Sequence, residues 1–363
     1  MTSAKPFRVL SIDGGGMRGL YTSTYLETLG YRFGGGKSLD IGSGFDLIVG
    51  TSTGGILACG LAAGVSLKDI SIMYQEHGPS IFPAPTPDLS RRGIERMIAS
   101  SWKLLRWERD RNSWAIAGQT ALRNALVEVL RDETVRQCWE RRNIALCIPT
   151  VNMSNHKPWV FKTPHLPGKT RDNDYRLVDM CLATSAAPIF FPLAVTDVPE
   201  ASHYNVFVDG GLWANNPVLI GLTEALQLAC NEQEIQIISI GTCAPPVGRT
   251  VPRNKSNWGL ADWKVGLEIV ETSLDSQSAG YDFIASQIAR HINRPCTVVR
   301  LPTSPPSGDQ VRHVGLDKAS ELACKALTDL GRNDAETLHS KTMAGDPNFT
   351  SIKEIFDELS ELN

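Results

Sequence analysis

Apolar residues along the chain fall into short runs that alternate with stretches of helical periodicity. The first run, residues 7–12, is β-prone and ends at Asp13, and a helical pattern follows over residues 21–30. Residues 45–50 form a second apolar run, which leads into a small-residue helix over residues 55–64. Strands that alternate with helices in this way predict an α/β fold whose parallel sheet is covered by helices on both faces.

Two features of the pattern interrupt this alternation. Residues 79–88 carry too many prolines for regular structure, which predicts a surface loop. A basic amphipathic helix is predicted over residues 91–107, where it either packs as an ordinary surface helix or contacts lipid. Over residues 249–256 the composition turns polar, which indicates that the main sheet has ended and that the remaining chain is mostly helical. Further strands are predicted at residues 144–151, 158–163, 205–210 and 235–242, and further helices at residues 117–130, 217–229 and 317–330.

Composition sets limits on the function. The chain has 363 residues, 42% of them hydrophobic, and its 36 lysines and arginines against 39 aspartates and glutamates give a net charge of −3. This balance lacks the basic surface that DNA or RNA binding requires. No cysteine pair has zinc-site spacing, the N-terminus lacks an apolar signal core, and the apolar stretch at residues 55–65 is too short to span a bilayer. A cytoplasmic protein with neither a metal nor a nucleic-acid partner is expected.

The sequence GTSTG at residues 50–54 lies between the second apolar strand and its helix. It fits the pattern G-x-S-x-G in the strand-turn-helix context that a nucleophile elbow demands. Small flanking residues let a strained turn expose the hydroxyl of Ser52, and the helix N-terminus behind it favours developing negative charge. Ser52 is therefore the candidate nucleophile.

The sequence DGGGMRG at residues 13–19 offers consecutive glycine N–H groups at the end of the first strand. Such groups can converge on one point and bind an anion. One use is an oxyanion hole formed by Gly14, Gly15 and Gly16, with Arg18 nearby. The alternative use is a cradle for a phosphate group.

Two nucleotide-binding patterns are alternatives to the oxyanion hole. The glycines satisfy G-x-G-x-x-G, but a dinucleotide fold needs an acidic residue that ends a second strand about twenty positions later. Asp40 lies in a polar segment instead. GKS at residues 36–38 matches the end of a Walker A loop, yet Tyr31 stands where its first glycine belongs and no strand precedes it. Both nucleotide-binding folds are disfavoured.

Asp209 follows the apolar strand of residues 205–208 and precedes a glycine pair. Open α/β sheets place their sites at the carboxyl ends of strands, where this carboxylate would lie. The alternative is that Asp209 only caps a turn, which Asp-Gly sequences often do. The presence of the two other motifs at strand ends favours a functional role.

These three motifs, in this order, resemble those of the patatin-like phospholipase family. The resemblance extends to ATSAAPIFFP at residues 183–192 and ISIGT at residues 238–242. It implies a three-layer α/β sandwich with a mainly parallel central sheet flanked by helices. It also implies a catalytic domain over residues 7–245 and a mostly helical extension over residues 246–363 that packs on it.

By the same resemblance, Ser52 is the nucleophile, Asp209 is its direct general base, and Gly14, Gly15 and Gly16 with Arg18 stabilise the oxyanion. An aspartate beside the hydroxyl in a dry pocket can have a raised pKa and accept its proton. No histidine is then required. A rival reading, a histidine-dependent α/β-hydrolase, would make one of the late histidines indispensable. These are His291, His313 and His339.

The opening residues 7–29 and the helical extension resemble most the stand-alone effectors of bacterial anti-phage signalling. In these, a cyclic di- or trinucleotide switches on degradation of the host membrane. The resemblance implies a homo-oligomer that acts on phospholipids at the inner face of the cell membrane, with a cyclic oligonucleotide activator and no cofactor or metal. Two alternatives stay open: an unregulated patatin-like acyl hydrolase or esterase, and a non-enzymatic nucleotide-binding module.

The activator would be expected to bind in the region from about residue 249 onward, outside the catalytic motifs. Basic side chains there would contact phosphates and aromatic rings would stack on a base. The alternative is that these are scattered surface charges. The candidates are Arg249, Arg253, Lys255, Arg290, Arg294, Arg300, Arg312, Trp258 and Tyr281.

Overall fold

The computed structural model describes residues 5–86, 106–198, 202–244, 251–259, 263 and 266–362. Eight strands within these residues form one mixed sheet in the order β5-β6-β3-β2-β1-β7-β8, with β4 paired to β3 off this path. The strands are β1 (Phe7–Ile12), β2 (Leu47–Gly50), β3 (Ala145–Asn152), β4 (Lys157–Lys162), β5 (Ala194–Asp197), β6 (Tyr204–Asp209), β7 (Ile235–Ile240) and β8 (Cys296–Arg300).

Helices cover both faces of this sheet. Because each strand contributes alternate side chains to opposite faces, Leu10 and Ile48 belong to one buried cluster and Val9 and Val49 to the other. The expected three-layer arrangement is confirmed. The helices are α1 (Gly19–Phe33), α2 (Thr53–Ala62), α3 (Leu67–Ile81), α4 (Arg111–Leu130), α5 (Val135–Arg142), α6 (Leu177–Thr184), α7 (Gly211–Ala214), α8 (Val218–Leu228), α9 (Leu267–His291), α10 (Glu321–Met343) and α11 (Thr350–Asp357).

The sheet is parallel from β3 through β2, β1 and β7 to β8. Strands β4 and β6 join β3 in antiparallel orientation, and β5 joins β6 in the same way. Strand β1 therefore lies inside the sheet, and its carboxyl end opens among the ends of its parallel neighbours. That edge is where an α/β sheet offers a binding crevice.

Strands β2 and β6 lie end to end along one edge of β3. Val49 of β2 pairs with Cys147, and Asp209 of β6 pairs with Thr150 a few residues further along the same strand. Strand β4 pairs with both of these β3 residues and so occupies the opposite edge. Because β2 runs parallel to β3 and β6 runs antiparallel, their carboxyl ends face each other. The chain that follows Gly50 is thus directed at Asp209.

The strands and helices predicted from the pattern are confirmed where they fall on described residues, with one correction at the sheet edge. The polar composition of residues 249–256 indicated that the sheet had ended, and this was wrong, because β8 of the later region pairs in parallel with β7. Strand β8 has one neighbour and is only partly buried, so it lacks the fully apolar run that marks the inner strands. Within the described residues, the C-terminal region is otherwise mainly helical.

The predicted proline loop of residues 79–88 begins later than expected. Helix α3 continues through Pro79 to Ile81, where the proline lies in the last turn and removes only one backbone hydrogen bond. Of the predicted amphipathic helix, residues 91–105 lie outside the described residues. At its end, Trp107 is buried, donates its indole N–H to the Ala84 carbonyl and packs on Trp114 with ring centroids 4.8 Å apart. Packing of Trp107 favours the surface-helix interpretation at this position.

No helix in the part of the chain that the structure describes is both long and apolar enough to cross a bilayer.

Candidate active site

Ser52 lies in a strained turn between β2 and α2. Its φ of 56° and ψ of −124° are unusual for a residue with a side chain, and such strain concentrates at functional positions. The turn is held by two hydrogen bonds: Ser52 N–H donates to the Thr184 hydroxyl at 2.9 Å, and Gly54 N–H donates to the Thr51 carbonyl at 2.8 Å. This is the geometry of a nucleophile elbow, with the helix N-terminus directly behind the hydroxyl.

Asp209 meets this hydroxyl from the end of β6. Ser52 Oγ donates to Asp209 Oδ2 at 2.7 Å, and Gly211 N–H donates to Asp209 Oδ1 at 2.6 Å. One carboxylate oxygen is thereby fixed by the backbone while the other faces the serine. The two residues predicted from separate motifs lie in direct contact.

The environment of Asp209 suits proton transfer near neutral pH. The residue is 6% exposed, and burial raises its pKa from 3.8 to about 6, while hydrogen bonds from Gly211 N–H and the Ser52 hydroxyl act in the opposite direction. None of the described residues forms a salt bridge with this carboxylate. Without a cation to stabilise its charge, the ionised carboxylate is a stronger proton acceptor than a surface aspartate.

Gly15 and Gly16 face the same pocket as Ser52. Among the described residues, no hydrogen bond partner is found for either N–H group. Gly16 has a φ of 55°, and a Cβ at this position would collide with the Leu316 carbonyl oxygen. Only glycine therefore allows the loop to pass this close to the C-terminal region. Two free N–H donors beside the serine are the geometry that an oxyanion hole requires.

Gly14 and Arg18 are placed differently from this expectation. Gly14 N–H donates to the Asn215 carbonyl at 2.9 Å, so it is engaged in holding the loop. Arg18 immediately precedes α1 and lines a separate polar cavity together with Gly14, and neither residue lines the pocket of Ser52. Gly14 still lies against Ser52, since a Cβ on this glycine would be 3.2 Å from the serine Cβ. Of the four predicted oxyanion residues, only Gly15 and Gly16 offer the pocket an N–H group that has no partner among the described residues.

Sequence reasoning missed two contributors near the nucleophile. Thr184 accepts the Ser52 N–H and donates its own hydroxyl to the Pro149 carbonyl at 2.6 Å, which ties the elbow to β3. Thr53 lines the pocket, and its N–H has no hydrogen bond partner among the described residues. The residue after the nucleophile supplies an oxyanion donor in other elbows, and that motif rule was the available signal for Thr53.

The pocket around Ser52 is narrow and mainly apolar. It holds a cavity of about 80 Å³, well below the roughly 300 to 1,000 Å³ of ordinary ligand pockets. Its walls come from α2, α3, α4, α9 and the segment after α6, and they suit a hydrocarbon chain. The apolar and aromatic residues lining it are Ile56, Tyr74, Ile81, Phe82, Leu122, Ala187, Pro188, Phe190, Phe191, Leu212, Val270, Leu274 and Leu316.

The late histidines lie away from this pocket. His339 packs edge-on against Phe33 with ring centroids 4.9 Å apart, and His291 contacts its own helix through the Gln287 carbonyl at 2.7 Å. His313 follows a short 3-10 helix in the C-terminal region. None of the three is among the described residues that line the pocket. The histidine-dependent reading therefore lacks a candidate base.

One group of side chains in the described residues has metal-binding proximity. Ligand atoms of Cys147, His165 and Glu224 all lie within 4.8 Å of one another. However, His165 Nε2 is 2.9 Å from one Glu224 oxygen, and Lys162 Nζ is 2.5 Å from the other. The ammonium already supplies a positive charge to this carboxylate, so the cluster has the character of a buried ion-pair network.

Comparison with known proteins identifies the family. Residues 10–222 match the family model described as patatin-like phospholipase. The chain belongs to the patatin-like phospholipase family. The family, the α/β fold class and the activity of a lipid acyl hydrolase expected from the sequence are thereby confirmed, and the non-enzymatic alternative is not supported.

Several curated relatives of this patatin-like phospholipase carry the name cGAMP-activated phospholipase. The one from Pseudomonas aeruginosa is 31% identical over 356 residues, covering 97% of this chain and 93% of that protein. The one from Escherichia coli is 33% identical over 301 residues, covering 78% of this chain and 76% of that protein. Among solved structures, human GIVD cytosolic phospholipase A2 matches with a TM-score of 0.45 and 11% identity, covering 96% of this chain and 60% of that chain.

Proposed function

We propose that this phospholipase hydrolyses acyl esters of membrane phospholipids with Ser52 as nucleophile and Asp209 as its general base. The observation that carries the proposal is the 2.7 Å hydrogen bond between the two side chains. It lies at the wall of an apolar pocket that suits an acyl chain. No third side chain is needed, since the raised pKa of about 6 lets Asp209 take the proton itself.

In the first half-reaction, Ser52 Oγ attacks the ester carbonyl carbon while its proton passes to Asp209 Oδ2. The carbonyl oxygen becomes an oxyanion, which we assign to the N–H groups of Gly15 and Gly16, with Thr53 N–H as a further donor. When the tetrahedral intermediate collapses, the ester C–O bond breaks and the lysophospholipid oxygen takes the proton from Asp209. An acyl-Ser52 ester remains.

The second half-reaction reverses the roles. A water molecule gives a proton to Asp209 as its oxygen attacks the acyl-Ser52 carbonyl, and the same N–H groups hold the second oxyanion. Collapse breaks the acyl–Oγ bond, and Asp209 returns the proton to Ser52. The fatty acid leaves, and the enzyme regains its starting state.

The chemistry is tested by labelling and by lipid analysis. A fluorophosphonate should label the wild-type protein at Ser52, and mass spectrometry of treated phospholipid vesicles should show fatty acid and lysophospholipid. Ser52→Ala should abolish both signals. Ser71→Ala, which removes another buried hydroxyl that bonds Ser23 Oγ at 2.9 Å, is the matched control and should retain them. Undiminished hydrolysis by Ser52→Ala would refute the assignment.

We further propose that a cyclic dinucleotide activates the enzyme. Relatives at 30 to 33% identity bear the name cGAMP-activated phospholipase. The narrow cavity of about 80 Å³ beside Ser52 supports a resting state that must widen to admit a lipid chain. Hydrolysis of a fluorescent phospholipid should rise at least tenfold on addition of cyclic GMP–AMP. Full activity without additive would favour the unregulated acyl hydrolase instead.

The cellular role is part of the same proposal. An activated phospholipase of this kind would act as a homo-oligomer at the inner face of the cell membrane, in anti-phage defence. Bacteria that carry the gene should lose membrane integrity on phage infection, and the Ser52→Ala strain should not. Equal loss of membrane integrity in both strains would show that this loss does not depend on catalysis by Ser52.

A further inference from the structure

Three of the residues expected to contact an activator are engaged in the fold. Arg294 donates to the backbone carbonyls of Cys230 and Gln233, and Tyr281 donates to the Trp213 carbonyl at 2.8 Å. Arg300 is paired with Asp13. Arg249 lies outside the described residues. The remaining described arginines of this set, Arg253, Arg290 and Arg312, are exposed on the surface, so a buried anion site has to be formed by other groups.

A second cavity lies beside the glycine loop, apart from the catalytic pocket. Its volume is about 240 Å³, three times the volume of the cavity next to Ser52. Its lining is polar where the catalytic pocket is apolar, and it combines the loop, the end of β7 and one face of α9. The lining residues are Asp13, Gly14, Arg18, Asn215, Thr242, Cys243, Asp275, Ser278, Ala279, Asp282, Arg300 and Thr303.

Arg18 is the unmatched cation of this cavity. The residue is only 9% exposed, and its guanidinium makes no hydrogen bond or salt bridge with any of the described residues. By contrast, Arg300 in the same cavity is neutralised by Asp13, with Nη2 2.6 Å from Oδ2. The Nε of this guanidinium is buried without a hydrogen bond acceptor, and the carboxylates of Asp13 and Asp275 act on Arg18 only through space. A ligand that offers an acceptor to this nitrogen would therefore meet an unsatisfied requirement of the cavity.

Two carboxylates of α9 face the same space without a salt bridge among the described residues. They belong to Asp275 and Asp282, and one oxygen of Asp282 is buried with no hydrogen bond partner. Burial raises the pKa of both groups, while Arg18 opposes the rise at Asp275 and Arg300 opposes it at Asp282. The cavity thus presents unmatched acceptors together with an unmatched guanidinium.

A ligand that carries both an anionic group and N–H donors would provide hydrogen bond partners for the Arg18 guanidinium and for the two carboxylates of α9. A phosphodiester matches a guanidinium through two parallel hydrogen bonds. The N–H edge of a guanine base matches a carboxylate. The cavity volume is close to the lower limit of ordinary ligand pockets, which suits one enclosed nucleotide of a larger molecule.

The polar cavity and the catalytic pocket also share a residue and a helix in their walls. Asn215 lines both spaces, and its side chain donates to Ser278 Oγ at 3.0 Å. Helix α9 contributes Leu274 to the catalytic pocket and the adjacent Asp275 to the polar cavity. A ligand that pulls on Asp275 would therefore move the apolar wall of the catalytic pocket.

We propose that this polar cavity is the activator site, where Arg18 binds a phosphodiester of a cyclic purine dinucleotide and Asp282 accepts N–H groups of a guanine base. This inference rests on the proposed activation and adds the place and chemistry of binding. A ligand activates by binding the open state more tightly than the closed one. Contacts to α9 and to the glycine loop provide that difference.

Isothermal titration calorimetry of the full chain with cyclic GMP–AMP tests the site. Arg18→Gln should raise the dissociation constant at least tenfold, and Arg18→Lys should restore part of the lost affinity. The matched control is Arg312→Gln, which removes an exposed arginine of the C-terminal region outside the cavity and should bind within twofold of wild type. Thermal unfolding without ligand shows that each variant is folded.

Base selectivity provides a readout that a structural defect would not produce. Wild type should bind cyclic GMP–AMP more tightly than cyclic di-AMP. Asp282→Asn replaces an acceptor by a group that also donates, and it should reduce this preference at least tenfold. The variant remains informative even if Arg18→Gln does not fold.

The outcomes separate this proposal from the one on which it rests. No binding or activation of the wild type by any cyclic dinucleotide would overturn the proposed activation. Activation of the wild type, with unchanged affinity and unchanged base preference in the Arg18 and Asp282 variants, would overturn the location alone. Loss of affinity in Arg18→Gln and of preference in Asp282→Asn supports both.

Discussion

The two ends of strand β1 are each joined to the C-terminal region by an arginine and a carboxylate, and the two junctions differ. At the amino end, Arg8 is 2% exposed, and its Nη1 lies 2.7 Å from Glu358, whose side chain is 48% exposed. At the carboxyl end, the carboxylate of Asp13 is the buried partner, and Arg300 lies in the polar cavity. The first junction connects the end of α11 to the sheet, whereas the second adjoins the glycine loop and lines the polar cavity. Variants at the amino end should therefore change stability, and variants at the carboxyl end should change activity.

The largest effect is expected for Asp209→Asn, at the end of β6, in the catalytic pocket that the glycine loop after β1 also lines. Asparagine keeps the shape and a hydrogen bond acceptor for Ser52 but cannot take the proton. The turnover number on a soluble short-chain ester should fall by about ten-thousandfold, as for catalytic residues that act as a unit. Retention of a tenth of wild-type activity would show that another group is the base.

The same substitution should leave the protein more stable. The folded state binds the Asp209 proton more tightly than the unfolded state, so the stability contribution of this group falls as pH rises from about 4 through its folded pKa of about 6. Removing the ionised carboxylate should raise the free energy of unfolding at pH 7 by up to about 3 kcal/mol. Denaturant unfolding at pH 7 and at pH 4 should show this gain at pH 7 only.

The next effect is the acid limb of the pH profile. Asp209 must be ionised to accept the proton, and its pKa of about 6 sets the point below which activity declines. We expect kcat/KM on a soluble ester to fall about fivefold between pH 6 and pH 5 and about tenfold per unit below that. A profile that stays flat to pH 5 would place the base elsewhere.

A smaller effect is expected for Thr184→Val. Valine keeps the volume but leaves Ser52 N–H and the Pro149 carbonyl without their shared partner. Loss of one such hydrogen bond should lower kcat between about twofold and tenfold with little change in KM. Thr196→Val, at a buried threonine of β5 outside the pocket, is the control and should leave kcat unchanged.

The smallest effect on activity is expected for Glu358→Gln at the amino end. Arg8 would keep a neutral partner but lose the opposite charge. Because the glutamate is half exposed, its loss should cost only about 1 kcal/mol of unfolding free energy. The kcat should stay within twofold of wild type. A large fall in kcat with normal stability would remove the distinction between the two ends of β1.

The fold was largely predictable because the inner strands are buried on both faces and therefore read as continuous apolar runs. Strands β5 and β8 were not predicted, since each has one neighbour and alternates or mixes buried and exposed positions. The contact between Ser52 and Asp209 was predictable from the family resemblance. The argument from strand ends assumed a parallel sheet, whereas β6 runs antiparallel to β3 and meets β2 end to end.

The rest of the site depends on contacts between distant parts of the chain. The family resemblance predicted that Gly14 and Arg18 lie beside the oxyanion. In the structure, the Gly14 N–H donates to the Asn215 carbonyl, and Arg18 lines the polar cavity together with residues of α9 and residues that follow β7. The partner of the Ser52 N–H, Thr184, lies in a segment recognised only as similar to the family. Nothing local in either stretch reveals these contacts.

The position of β8 and Leu316 has a consequence for biosynthesis. Strand β7 is fully buried and needs β8 along its open edge, and Met17 N–H needs the Leu316 carbonyl to hold the glycine loop. Strand β8 and Leu316 both belong to the last third of the chain and are therefore synthesised last. A growing or truncated chain can present Ser52 yet lack the walls and donors that complete catalysis. We therefore expect lipid hydrolysis only from chains whose C-terminal region has been synthesised and has folded.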